Sequence, residues 1–349
     1  MSIFTSEQFK LCNVPVPHGY PQSQTHCSII YVDDTFIMST SPYPSLNTPR
    51  WRVYMLAILK KLCFGLYNPF YIGENYENPC LYISEYSNGC NIPIKFNLLG
   101  GSPVMGTPID KYGLGSYCSD PNLTYDDDVF YLLNRTTFRK ARTGNVDVDY
   151  ETYVHLIAGN IKSKRFVIDK QKILFSENDV SPCLAKYNGR YIYTSLRTTS
   201  YNSGLPCEGL YIREAIDPFG KWSDKKIIQI DKGNYEPWHM SLFEYDGILY
   251  SIIACVHHGE KQRCWQMLGE FDKELRRIKI YQTPLTSYKS YRGAAIVTKD
   301  GEFILYNTTV NEKIKGGQSV DGREIIMSHA PFKDIIDQLR NDDKNISYE

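Results

Sequence analysis

The stretch Ser181-Pro-Cys-Leu-Ala-Lys-Tyr-Asn-Gly-Arg-Tyr-Ile-Tyr-Thr-Ser-Leu-Arg197 decides the fold. Two strand-forming runs flank Asn188-Gly189, a pair that takes the tight turn joining antiparallel strands, so the stretch reads as a β-hairpin. It also recurs. Comparable copies are His26-Cys-Ser-Ile-Ile-Tyr-Val-Asp-Asp-Thr-Phe-Ile-Met-Ser-Thr40 and Ser119-Asp-Pro-Asn-Leu-Thr-Tyr-Asp-Asp-Asp-Val-Phe-Tyr-Leu-Leu-Asn-Arg135. Two more are His239-Met-Ser-Leu-Phe-Glu-Tyr-Asp-Gly-Ile-Leu-Tyr-Ser-Ile-Ile253 and Arg292-Gly-Ala-Ala-Ile-Val-Thr-Lys-Asp-Gly-Glu-Phe-Ile-Leu-Tyr306.

Counted from His26, Asp120, Ser181, His239 and Arg292, the gaps between copies are 94, 61, 58 and 53 residues. The last three match a four-stranded blade. Outer strands recur between the hairpins, at Tyr76–Ser84, Gly209–Ala215 and Gly269–Asp272. A repeat of this kind predicts an all-β, five-bladed β-propeller over residues 21–330. A tandem of β-sandwiches would not repeat one hairpin at near-constant spacing. The long first gap holds the apolar stretch Val53–Ile72, read as a helical insertion at about 50–72 in the first-blade region. Residues 1–20 read as an N-terminal extension. Residues 331–349 read as a short C-terminal helix and tail, with apolar Phe332, Ile335, Ile336 and Leu339 at helical spacing.

Composition narrows the function. Lys and Arg number 39 against 39 Asp and Glu, which excludes a nucleic-acid binder driven by bulk charge. Lys60, Lys61 and Pro69 interrupt the most apolar stretch, so no membrane span is expected. The first twenty residues lack the basic and apolar regions of a signal peptide. A cytoplasmic protein is expected, or a virion-associated one if the gene is a phage's. The ten cysteines include no Cys-x-x-Cys pair and read as buried free thiols. Of the 28 tyrosines, Tyr31, Tyr125, Tyr187 and Tyr245 fall before the turns and Tyr131, Tyr191, Tyr193 and Tyr250 on the returning strands, where they pack blades.

These motifs resemble the five-bladed propellers of the glycoside hydrolase family 43 and 32 type. Each blade there opens on a short inner-strand motif, as Ser119-Asp120-Pro121, Ser181-Pro182-Cys183-Leu184 and Trp238-His239-Met240-Ser241-Leu242 do here. The closest likeness is to an uncharacterised branch from gut bacteria and their phages. It shares Tyr76-Glu77-Asn78-Pro79, Ser119-Asp120-Pro121, Trp238-His239 and Tyr291-Arg292.

Inner-strand starts converge on a propeller's axial funnel, which singles out His26, Asp120, Asp179 or Ser181, His239 and Arg292. The resemblance implies a base Asp in the first blade, a pKa-tuning Asp in the second and an acid Glu in the third. Only the second is matched, by Asp120. His26 stands where the base is expected, and the third blade offers Asp179 with Glu177 upstream. The candidate catalytic set is therefore Asp120, His239, His26 and Asp179. Candidate substrate-binding residues are Arg292, Trp238, Tyr291, Glu77, Tyr43, Arg197 and Arg135.

No motif carries metal-ligand spacing. His257 and His258 are adjacent on a strand and point to opposite faces. No cofactor is expected, although a structural cation in the propeller channel is compatible with the pattern. The expected partner is a polysaccharide or oligosaccharide, with other subunits of a larger assembly a further candidate. Two functions stay open. One is a glycoside hydrolase acting on a polysaccharide in the funnel; the other is a non-catalytic glycan-binding or structural propeller such as a phage tail component.

Overall fold

In the computed structural model the described residues are 2–5, 8–17, 23–43, 77–85, 92–105, 117–140, 146–198, 207–258, 264–287, 290–309, 311–315, 318–322 and 324–346, with Met55, Ile58 and Leu62. They form a β-propeller. Its elements begin with β1 (Lys10–Leu11), whose place becomes clear at the end of the chain. The first four-stranded sheet is β2 (Ser23–Val32), β3 (Thr35–Tyr43), β4 (Cys80–Glu85) and β5 (Asn97–Leu98). The second is β6 (Tyr117–Asp126), β7 (Val129–Arg139), β8 (Tyr150–Lys162) and β9 (Arg165–Ser176), with the short helix α1 (Val146–Asp149) leading into β8. The third is β10 (Val180–Tyr187), β11 (Arg190–Thr198), β12 (Cys207–Ala215) and β13 (Lys226–Asp231). The fourth is β14 (Tyr235–Tyr245), β15 (Ile248–His257), β16 (Cys264–Phe271) and β17 (Arg277–Ile280). The outer strands β13 and β17 of these last two pair in parallel.

The final sheet holds β18 (Ser290–Val297), β19 (Glu302–Thr309) and β22 (Ile325–Pro331), with the hairpin of β20 (Asn311–Lys315) and β21 (Gln318–Gly322) between the last two. Its fourth strand is β1, with Lys10 opposite Met327 and Leu11 opposite Ile326. The N-terminal segment expected as an extension is therefore built into the fold. Cys12 bonds Ile325 through its amide, and Phe4 is fully buried beside Leu285. The described residues of the predicted insertion, Met55, Ile58 and Leu62, are helical and exposed; the rest of it lies outside the described residues. No helix among the described residues is long and apolar enough to cross a membrane.

Turn chemistry explains the hairpins. Asp33-Asp34, Asp127-Asp128, Asn188-Gly189 and Asp246-Gly247 all take positive φ at both central positions, the geometry that matches strand twist. Ser163-Lys164 does the same between β8 and β9, without the residue types that would announce it.

The inner strands β2, β6, β10, β14 and β18 each contact the next, and β18 contacts β2, so the ring is closed. Side-chain alternation supplies the glue between sheets. On β3, Phe36 and Met38 pack toward Ile304 and Tyr306 of the last sheet, while Ile37 packs toward Leu123 and Leu132 of the second. On β7, Leu133 faces Leu184, Tyr191 and Tyr193 of the third. Both faces are buried, which is why the strands read as continuous apolar runs. Polar stitches reinforce the ring. Leu123 N donates to Ser28 Oγ (2.9 Å), Leu184 N to Asn122 Oδ1 (2.8 Å) and Met240 N to Ser181 Oγ (2.8 Å).

The C-terminal helix α2 (Phe332–Ile346) docks on the last two sheets. Phe332 packs between Phe243, Tyr250 and Phe303. Phe332→Ala is expected to lower unfolding free energy by about 3–5 kcal/mol, read from urea denaturation. A loss below about 1 kcal/mol would mean that the helix is not part of the core.

Candidate functional site

The inner strands share a defect. Each carries a β-bulge near its start, between Thr25 and Ser28, Ser119 and Asn122, Val180 and Cys183, Pro237 and His239, and Ser290 and Gly293. The extra residues are His26, Asp120, Ser181, Trp238 and the Tyr291-Arg292 pair. His26, Asp120 and Ser181 take left-handed φ values of 55°, 55° and 53°. His and Asp tolerate that region better than most residues. A bulge re-aims side chains at a sheet's rim, and here it brings four of the five starts into mutual contact.

Asp120 is the centre and is fully buried. Its Oδ1 lies 3.0 Å from His26 Nδ1, 3.4 Å from His239 Nδ1 and 3.3 Å from the Arg292 guanidinium. Its Oδ2 lies 3.0 Å from the Arg135 guanidinium, which also reaches Ser119 Oγ. His26 extends the chain outward, with Nε2 3.2 Å from Glu77 Oε1. Arg292, fully buried, also approaches Cys183 Sγ at 3.8 Å. Tyr291 is half-buried and closes a triangle of rings with His26 (5.2 Å) and His239 (4.7 Å); Trp238 packs edge-on against His239.

Burial alone would raise the Asp120 carboxyl, but Arg135 and His26 hold it well below the usual carboxylate range. It is a fixed anion and no proton donor. For His26, burial opposes the charged ring, yet Asp120 and Glu77 together raise its pKa. His239 goes the other way: burial pushes it down to about 3 against the pull of Asp120, so it is a neutral imidazole. Burial also pushes the Cys183 thiol up to about 11, leaving it unreactive.

Of the residues expected from sequence, Asp120, His26, His239, Arg292, Arg135, Glu77, Tyr291 and Trp238 come together. Asp179 does not belong to this contact set. It accepts from Ser195 Oγ (2.7 Å) and pairs with Lys225 (2.5 Å), which also holds Glu177 beside Arg213. Ser181 is spent on Met240, and Arg197 pairs with Glu208 toward the rim. The side chain of Tyr43 lies outside the described residues. His258 binds Glu236 (3.0 Å), away from Asp120. The eight described cysteines form no disulfide.

His26, Asp120 and His239 each offer one donor atom, and the three atoms lie within 4.8 Å of one another. The set can hold a metal ion, or it can stand as the ion-pair network just described.

No protein-family model matches the chain, and no curated protein is similar to it in sequence. Solved structures are similar in fold. An N-acetylgalactosamine deacetylase from F. plautii, in complex with blood group B trisaccharide, superposes with a TM-score of 0.64 at 13% identity, over 91% of this chain and 93% of that one. A GH43_1 enzyme from Xanthomonas citri gives 0.57 at 11% identity, over 91% and 90%. A GH43 β-xylosidase/α-arabinofuranosidase from a compost metagenome, in complex with xylotriose, gives 0.54 at 12% identity, over 92% and 94%. At these identities the likeness establishes the propeller fold.

Two outcomes follow from the electrostatics. Arg292→Met strips a buried charge partner from Asp120 and is expected to destabilise by about 3–5 kcal/mol. Arg277→Met, which breaks an exposed pair with Asp231, should cost under about 1 kcal/mol in the same denaturation assay. Equal losses would contradict the picture of Asp120 as a buried hub. The second concerns acid. His239 has its folded pKa near 3 and its unfolded pKa near 6.5, so its contribution is intact above about 6.5 and is lost as pH falls. In chelator-containing buffer, His239→Gln should remove roughly 2 kcal/mol of the stability lost between pH 7 and pH 5. An unchanged pH slope would contradict a buried neutral His239.

Proposed function

We propose that the chain is a carbohydrate-active hydrolase, a five-bladed propeller of the glycoside hydrolase type. In this reading a glycan lies over the axial end where the bulged strand starts meet. The observation that carries it is the convergence of His26, Asp120, His239 and Arg292 from four sheets on one point, flanked by the half-buried rings of Tyr291 and Trp238. Such rings stack on sugar faces. The solved neighbours complexed with a trisaccharide and with xylotriose lend support at the level of fold.

The chemistry differs from the usual two free carboxylates. Asp120 is ionised, fully enclosed and surrounded by two guanidinia and two imidazoles, so it stabilises positive charge and transfers no proton. Glu77 retains a sliver of exposure (4%) and is held by His26 Nε2. One imidazole stands between the two carboxylates, 3.0 Å from Asp120 and 3.2 Å from Glu77. We assign proton transfer to Glu77, its orientation to His26, and the platform to Tyr291 and Trp238. The residues fit removal of a sugar substituent as well as cleavage of a glycosidic bond, since both need one proton-transfer group beside a stabilised charge.

The second reading is a glycan-binding module without catalysis, favoured by the saturation of Asp120. One experiment separates them. A panel of polysaccharides and acetylated oligosaccharides is screened for reducing-end release and for acetate release, with binding followed in parallel. Glu77→Gln is expected to cut turnover by at least about 100-fold while leaving glycan affinity within a few-fold. Trp238→Ala should weaken binding. Full activity in Glu77→Gln would sink the role given to Glu77. Binding by wild type without either product would establish the module instead.

A further inference from the structure

We propose that His26 Nδ1, His239 Nδ1 and Asp120 Oδ1 are the protein ligands of one divalent transition-metal ion of the zinc class, seated where the first, second and fourth inner strands begin. The inference is independent of the glycan reading.

The distances fit. Ligand atoms about 2.1 Å from a tetrahedral metal stand about 3.4 Å apart. Asp120 Oδ1 lies 3.0 Å from one imidazole nitrogen and 3.4 Å from the other, both near that separation. These imidazole nitrogens are also unsatisfied. Both Nδ1 atoms approach Asp120 closely, yet neither is aligned as a hydrogen bond, and His239 Nε2 has no hydrogen-bond partner either. His26 and His239 are 4% and 2% exposed, and buried imidazole nitrogens of this kind are rarely left without a partner. A shared atom between them satisfies both at once.

The surroundings are those of a metal ligand set. Glu77 accepts from the far nitrogen of His26, the carboxylate–histidine arrangement that fixes a ligand's tautomer. Arg135 and Ser119 orient Asp120 from its other side. Two imidazoles and one carboxylate select a borderline ion over calcium, which takes six to eight oxygens. Three protein ligands leave a fourth position for water.

Arg292 donates to the same Asp120 Oδ1 at 3.3 Å and so sets a positive charge beside the proposed ligand. With Asp120 and Glu77 set against Arg135 and Arg292, the fixed charges cancel, so the site holds a cation less tightly than a bare His/His/Asp set would.

The test uses the full chain, stripped with chelator and titrated with Zn²⁺, Co²⁺ and Ca²⁺ by calorimetry and thermal melting. Expected are one equivalent of Zn²⁺, a raised melting temperature, no comparable response to Ca²⁺, and visible Co²⁺ bands of a nitrogen-ligated ion. Asp120→Asn and His239→Gln should weaken Zn²⁺ at least about 100-fold, and Glu77→Gln about 10–100-fold. Asp179→Asn, in a separate charge cluster, should bind as wild type. Absence of binding, or unchanged affinity in Asp120→Asn and His239→Gln, overturns the proposal. If those two variants fail to fold, the wild-type Co²⁺ spectrum decides: the bands of the hydrated ion alone overturn it.

Discussion

The two-for-one mismatch at the start of each inner strand is the constraint on which the site depends. A regular ladder would send His26 and Asp120 along the faces of their sheets, into the contacts between blades. The bulge turns them toward the axis, with the backbone in the left-handed region. Such a conformation costs of order 1–3 kcal/mol per residue and persists only where the surroundings over-determine it. Here they do. Ser28 and Asn122, just past the bulges at His26 and Asp120, receive amides from the next strand, and Ser181 receives the amide of Met240.

Once the starts are turned inward, one carboxylate organises everything near the axis. Asp120 draws two guanidinia and two imidazoles, and each pays part of its desolvation back through that single charge. The two histidines then diverge although their rings are 5.3 Å apart. His26 has a second carboxylate and favours a cation; His239 has none and stays neutral. Two residues of one type thus acquire opposite character from their neighbours, a second carboxylate at His26 and the positive charges of His26 and Arg292 beside His239.

Much of this was legible in the sequence. The Asp-Asp, Asn-Gly and Asp-Gly pairs announced the hairpins, because positive φ at two successive positions admits few residue types. Counting from the hairpins led to Asp120, His239, His26 and Arg292. Asp179 lies just before β10, whereas His26, Asp120, His239 and Arg292 lie within their strands. Only the tertiary position of Lys225, 46 residues on, reveals that it is committed elsewhere. Glu77 was named from its motif, but its bond to His26 joins an outer-strand entry to an inner strand and has no sequence period. The β8–β9 turn at Ser163-Lys164 carries no local signal, and β1 is two residues long, too short for any periodicity.

That short strand has a kinetic consequence. Lys10 lies opposite Met327, so the final sheet pairs strands far apart in sequence. During synthesis the early sheets can form in order, each against its predecessor, from contacts that are mostly local. The last sheet cannot be completed until β22 has emerged, and the β18–β2 contact that shuts the ring joins segments far apart in sequence. Loop-closure entropy places such a contact late in folding. Until then the face of β2 that packs on the last sheet, lined by Cys27 and Ile29, is open to solvent. Ring closure, and not strand formation, is thus the step at which the nascent chain is most exposed to misassociation.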